Sequence, residues 1–121
     1  MDYRIDLNAG VVELFVPQAG SLEEIGKLFR RVFQDPGYHT PFGFLWNRIG
    51  LEAPSPRVVR DLVAELGNII GLAGTKWAIV VDDAVNFGMM RMVEVLAEAH
   101  DIQVGVFTDE MEARVWLGAI P

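Results

Sequence analysis

The segment KWAIVVDD, residues 76–83, decides the fold. Five successive apolar residues, Trp77 to Val81, stand between a lysine and two aspartates. Strict alternation of apolar and polar residues would mark a strand with one wet face. An unbroken apolar run of this length marks a strand covered on both faces, as in a sheet with helices packed against it. Asp82 and Asp83 close the strand and offer a side-chain cap to whatever helix follows.

Working outward toward the carboxyl terminus, a helix is expected from about Asn86 to Ala99, then a second buried strand in IQVGVFT at 102–108. Asp109, with Glu112 three residues on, caps a last helix that carries Ala113, Trp116, Leu117 and Ile120 on one side, and Gly118 and Pro121 end it. In the other direction, Ser55-Pro56 is a strong helix start, serine as N-cap and proline at the first helical position. Val58, Leu62, Leu66, Ile69 and Ile70 are read as the buried face of that helix, with Gly67 a weak point near its end. Before it, Phe44 to Asn47 is a short aromatic strand, preceded by an aromatic loop from Tyr38 to Gly43. SLEE at 21–24 is a capping box that opens a helix bearing Leu22, Ile25, Leu28, Phe29, Val32 and Phe33, stopped at Pro36-Gly37. At the amino terminus Tyr3, Ile5 and Leu7 alternate with polar residues, Asn8-Ala9-Gly10 turns the chain, and Val11 to Val16 returns, which predicts an antiparallel hairpin. The order β-β-α-β-α-β-α-β-α over residues 1–121 is that of a single α/β domain with a mixed, mostly parallel sheet and flanking helices.

Composition narrows the function classes. The chain has 121 residues, 51% of them hydrophobic and none of them cysteine, so it can bury a core without disulfides and has no thiolate chemistry. Its net charge of −7 argues against nucleic acid and anionic membrane surfaces as partners. No apolar run approaches the roughly 18 residues of a membrane span, and MDYRIDLNAG has no apolar signal core. A cytoplasmic protein without stable membrane insertion is expected.

Two strings, FGMMRMVEVL at 87–96 and VFTDEMEARVWLG at 106–118, together with the element order, resemble the small bacterial SpoIIAA-like family of the STAS domain superfamily. That family includes anti-sigma factor antagonists. The resemblance implies a STAS-like fold and a non-enzymatic regulatory role exercised through a protein partner or self-association. It also implies a phosphorylated serine at the helix start after the third strand, where this chain has Ser55. The antagonists' pattern there resembles Asp-Ser-Ser-Gly, and this chain has Pro54-Ser55-Pro56-Arg57, with Asn47 where an aspartate is usual.

The residues themselves support two kinds of site. In open α/β sheets ligands bind at the carboxyl ends of the strands, which here gathers Asn47, Arg48, Asp82, Asp83 and Asn86 as the polar part of a cleft for a small apolar or nucleotide-like ligand. Asp82 and Asp83 could bind a cation or move protons, and they equally serve as helix caps. The loop of Tyr38, His39 and Phe42 is a candidate lid, or else a plug of the core. For the helix after Asp83, placing Met89 at the centre of the inward face puts Val85, Met92, Val93 and Leu96 beside it and Arg91, Glu94 and Glu98 opposite. Met90 then falls at the rim and Phe87 on the polar side, an adaptable apolar contact surface that the Phe42 loop could extend. GLAGTK at 71–76 stands before a strand rather than between a strand and a helix, so it is no phosphate loop. There is no G-x-S-x-G elbow, and two histidines without cysteine give no transition-metal motif. No cofactor, metal site or catalytic set is expected.

Overall fold

A computed structural model describes residues 1–17, 22–40 and 42–118. The capping box at Ser21 and the final Ile120 and Pro121 lie outside them. Five strands, β1 (Asp2–Asp6), β2 (Val11–Phe15), β3 (Gly43–Asn47), β4 (Lys76–Val80) and β5 (Gln103–Phe107), form one sheet in sequential order. β1 is antiparallel to β2, Tyr3 opposite Leu14 and Ile5 opposite Val12, and every other pairing is parallel. The helices are α1 (Leu22–Gln34), α2 (Pro56–Asn68), α3 (Ala84–Ala97) and α4 (Glu110–Leu117), with a 3₁₀ turn over Glu98–His100. The α/β class and the mixed, mostly parallel sheet are therefore as read from the element order.

Strand alternation divides the molecule into two cores. Val12, Leu14, Phe44, Trp46, Trp77, Ile79 and Val81 face α1, α2 and α3. The rings of Phe29, Phe44 and Trp77 meet there, with centroids 5.3–5.5 Å apart, and each such side chain contributes about 1.5–3 kcal/mol by leaving water. Val11, Leu45, Ala78 and Val80 face the opposite way, under α4. Trp77 to Val81 are all buried, which is what the unbroken apolar run requires.

A single short helix suffices on the second face because glycines let it come close. A Cβ on Gly43 would stand 2.7 Å from Leu117 Cδ2, and one on Gly105 3.1 Å from Trp116 Cζ2. Asp109 Oδ1 accepts from the N–H groups of Met111 (2.7 Å) and Glu112 (3.3 Å), and Gly118 ends α4 at φ +81°. Glu13, on this face of β2, is buried between Arg4 and Arg114 of α4.

Several details depart from the sequence reading. β5 is an edge strand with Gln103 exposed, because the sequential strand order leaves no neighbour beyond it. The buried face of α2 is Val59, Leu62, Val63 and Leu66; Val58 is half exposed, Ile69 is already the C-cap, and Ile70 is fully in solvent. α3 begins two residues earlier than expected, at Ala84, since Asp83 is its N-cap. Its inward stripe is Asn86, Met90, Val93 and Ala97, not the one centred on Met89, and Val85 is 67% exposed. Met89, Met92, Leu96 and Phe87 flank that stripe, partly buried against the same core.

Candidate functional site

β3 does not stop at Asn47 in hydrogen-bonding terms. The Arg48 N–H donates to Val80 O at 2.8 Å, so the extended alternation persists one residue further and Arg48 points to the same side as Trp46. Asn47 points the other way, exposed, its Oδ1 accepting from Ile49 N–H at 2.9 Å to tighten the turn. The chain then returns through residues 49–54 to Ser55, whose Oγ accepts from Val58 N–H at 3.2 Å and caps α2.

Arg48 is buried. Its Nη2 donates to Glu52 O at 2.8 Å, and Nε and Nη2 both reach Asn86 Oδ1 at 3.4 Å. Burial lowers its pKa from the ordinary arginine value, and Asp83 opposes that through space. Asn86, also buried, uses its amide fully: Nδ2 donates to Leu51 O (2.8 Å) and Asp83 Oδ2 (2.9 Å). Asp83 Oδ1 accepts from Asn86 N–H at 2.8 Å, and these hydrogen bonds hold the Asp83 carboxyl below its ordinary value.

Beside this relay lies a half-open cleft of about 240 Å³. Val16 and Pro17 after β2 and Leu22 and Ile25 of α1 form one wall. Ala53, Pro54, Ser55, Val58 and Leu62 form the second, with Trp46, Arg48 and Met90 at the back. The Trp46 indole Nε1–H is buried and has no hydrogen-bond partner among the described residues. A buried donor without an acceptor costs about 1–3 kcal/mol, so it calls for an explanation.

Of the residues singled out in the sequence, Arg48, Asp83 and Asn86 are joined by hydrogen bonds, and Arg48, Met90 and Ser55 line the cleft. Asp82 is exposed at the strand end. Tyr38, His39 and Phe42 do not form a lid over this cleft. They precede β3, which puts them at the amino ends of the parallel strands, where Tyr38 stacks on Phe44 and His39 meets Phe42 edge-on. The apolar surface expected from Phe87, Met90 and Phe42 does not exist as a patch: Met90 is wholly buried, and the two phenylalanines pack against the core from opposite ends of the sheet. Trp46, Val16, Leu22 and Val58 also line the cleft, and no motif in the sequence marks them as site residues. For Trp46 a signal exists, since a tryptophan and an arginine two apart on a strand share a face.

Among the described residues no group of three or more His, Asp or Glu side chains could hold a metal ion, and no helix is long and apolar enough to cross a membrane. Comparison with protein-family models, with curated proteins and with solved structures finds no match.

Proposed function

We propose that this chain is a STAS-like module that acts by binding rather than by catalysis, and that its working site is the cleft at the carboxyl ends of β2 and β3. One observation carries this reading: a largely apolar cleft with the buried Arg48 at its back, beside Trp46, whose indole N–H has no hydrogen-bond partner among the described residues. Mostly apolar walls with a few convergent polar groups are what small-ligand sites share. The sequential sheet and the β-β-α-β-α-β-α-β-α order support the STAS-like assignment. Native mass spectrometry of protein purified from cells tests the function: a small molecule retained by the wild type and lost from Leu22→Glu, which charges the cleft wall, is the expected result. Wild-type protein that carries nothing and takes up nothing from a small-molecule extract would remove it.

A second reading has an observation of its own. Ser55 is exposed at the N-terminus of α2 and lines the same cleft as Arg48. A phosphate there would sit at the positive end of a helix with a guanidinium across the cleft. In that case Ser55 is the regulatory site for a protein partner in a cytoplasmic setting, Ser55→Asp changes partner affinity, and Ser55→Ala abolishes the control. A partner that binds both variants and the wild type equally would dismiss it.

A further inference from the structure

The polar side chains on the cleft wall, Arg48, Trp46 and Ser55, can all donate, and this deepens the binding reading above, on which it rests. We infer that the cleft selects an anionic amphiphile: a carboxylate or phosphate head held by Arg48, Trp46 and Ser55, with a short apolar body along Val16, Leu22 and Val58.

The charge argument comes first. Arg48 forms no ion pair among the described residues. Its acceptors are a backbone carbonyl and an amide oxygen, both neutral, and the two bonds to Asn86 are long. The nearby carboxylate of Asp83 is turned to the Asn86 amide and the start of α3. A buried cation ordinarily finds a charged partner, and a planar guanidinium fits a carboxylate or phosphate in two-point contact.

The other polar groups agree in sign. Trp46 Nε1–H can only donate and has no partner among the described residues. The Ser55 oxygen accepts from Val58 N–H, which leaves its O–H to donate. The amino end of α2, 13 residues long, adds the positive end of a helix dipole. No carboxylate is found among the described residues that line the cleft. In a chain of net charge −7, a cleft lined by an arginine and by no carboxylate among the described residues is a local exception, and it suits an anion.

The remainder of the lining sets the body. Apart from these groups the cleft is walled by aliphatic side chains, proline and methionine. A volume of about 240 Å³ exceeds the roughly 150 Å³ cavity that admits benzene. It falls short of the roughly 300 Å³ at which pockets for drug-sized ligands begin. A nucleotide would exceed it and would leave base-edge hydrogen bonds unmet, whereas a short alkyl or small aromatic body would fill it.

Titration calorimetry on the full chain with octanoate, octyl phosphate, octanol and inorganic phosphate separates the contributions. Octanoate or octyl phosphate should bind at least about tenfold more tightly than both octanol and inorganic phosphate, and the comparison of the two charged ligands distinguishes carboxylate from phosphate. Val58→Glu, at an exposed position on the cleft wall, should weaken the charged ligands by about tenfold through like-charge repulsion and leave thermal unfolding unchanged. Arg48→Gln should erase the preference over octanol; should that variant fail to fold, Val58→Glu still decides. Octanol binding as tightly as octanoate would overturn the inference while leaving the cleft a binding site. Inorganic phosphate binding as tightly as octyl phosphate would overturn the amphiphile, and failure of all four ligands would overturn the inference whatever the mass spectrum of the cell-derived protein shows.

Discussion

The guanidinium carbon of Arg48 lies 4.6 Å from the centroid of the Trp46 ring. Both side chains leave the same face of an extended segment, and Asn86 and the Glu52 carbonyl hold the arginine over the ring. Removing the arginine would strip Asn86 Oδ1 of its donors and forfeit the cation–π contact. Arg48→Ala should therefore cost about 2–4 kcal/mol in denaturant unfolding. Arg48→Lys should recover only part of this, because an ammonium lacks the planar fork.

Asp83 supplies the pH dependence of this corner. Its carboxyl titrates below the ordinary value of 3.8 because Asn86 donates to it from both its side chain and its backbone. A folded-state pKa lower than the unfolded one stabilises the protein above the unfolded value, and that stability is lost as pH falls through the folded value. Asp83→Ala should be less stable than wild type at neutral pH, and the gap should close as the solution is acidified below the ordinary carboxylate value. Urea melts of both proteins across that range give the difference directly, with contributions common to both cancelling.

The inward register of α3 is tested by a pair of substitutions. Met90 is wholly buried, so Met90→Ala should cost about 2–5 kcal/mol. Val85, 67% exposed, should tolerate alanine within about 0.5 kcal/mol. Comparable losses at the two positions would place the Met89-centred face inward instead.

That pair also shows where the sequence stops being decisive. Trp77–Val81 could be placed because the run is apolar throughout and flanked by charge, and Ser55-Pro56 and Asp109 because caps are local chemistry. In α3, by contrast, Val85, Phe87, Met89, Met90, Met92, Val93, Val95 and Leu96 are all apolar, more than one face needs, so periodicity alone does not select the phase. Asn86 on the inward stripe is explained by distant partners, the Leu51 carbonyl 35 residues away and Arg48 38 residues away. The cleft joins side chains from residues 16 to 90, and no local pattern announces that. The Tyr38–Phe42 loop was a different matter: a segment that precedes a parallel strand belongs at its amino end, and the element order already contained that.

Glu13 couples the hairpin to α4. Its carboxylate takes Arg4 on one side and Arg114 on the other, with Glu13 and Arg114 mostly out of solvent and Arg4 67% exposed. Glu13→Ala would leave Arg114 without its buried partner and should cost about 3 kcal/mol. Arg4→Ala removes an exposed arm and should cost no more than about 1 kcal/mol. Equal losses in thermal unfolding would mean that the outer pair matters as much as the inner one.

Gly67 is a glycine inside a helix, a position where alanine ordinarily stabilises by about 1 kcal/mol. Here the His100 imidazole lies where the new methyl would go, so α2 and the turn after α3 approach each other over that missing side chain. Gly67→Ala alone should therefore bring no gain, or a loss. With His100→Ala also in place, the same substitution should stabilise by about 0.5–1 kcal/mol. A double-mutant cycle measures the coupling, and a Gly67→Ala gain independent of residue 100 would show that the ring moves aside freely and that glycine is not required for this approach.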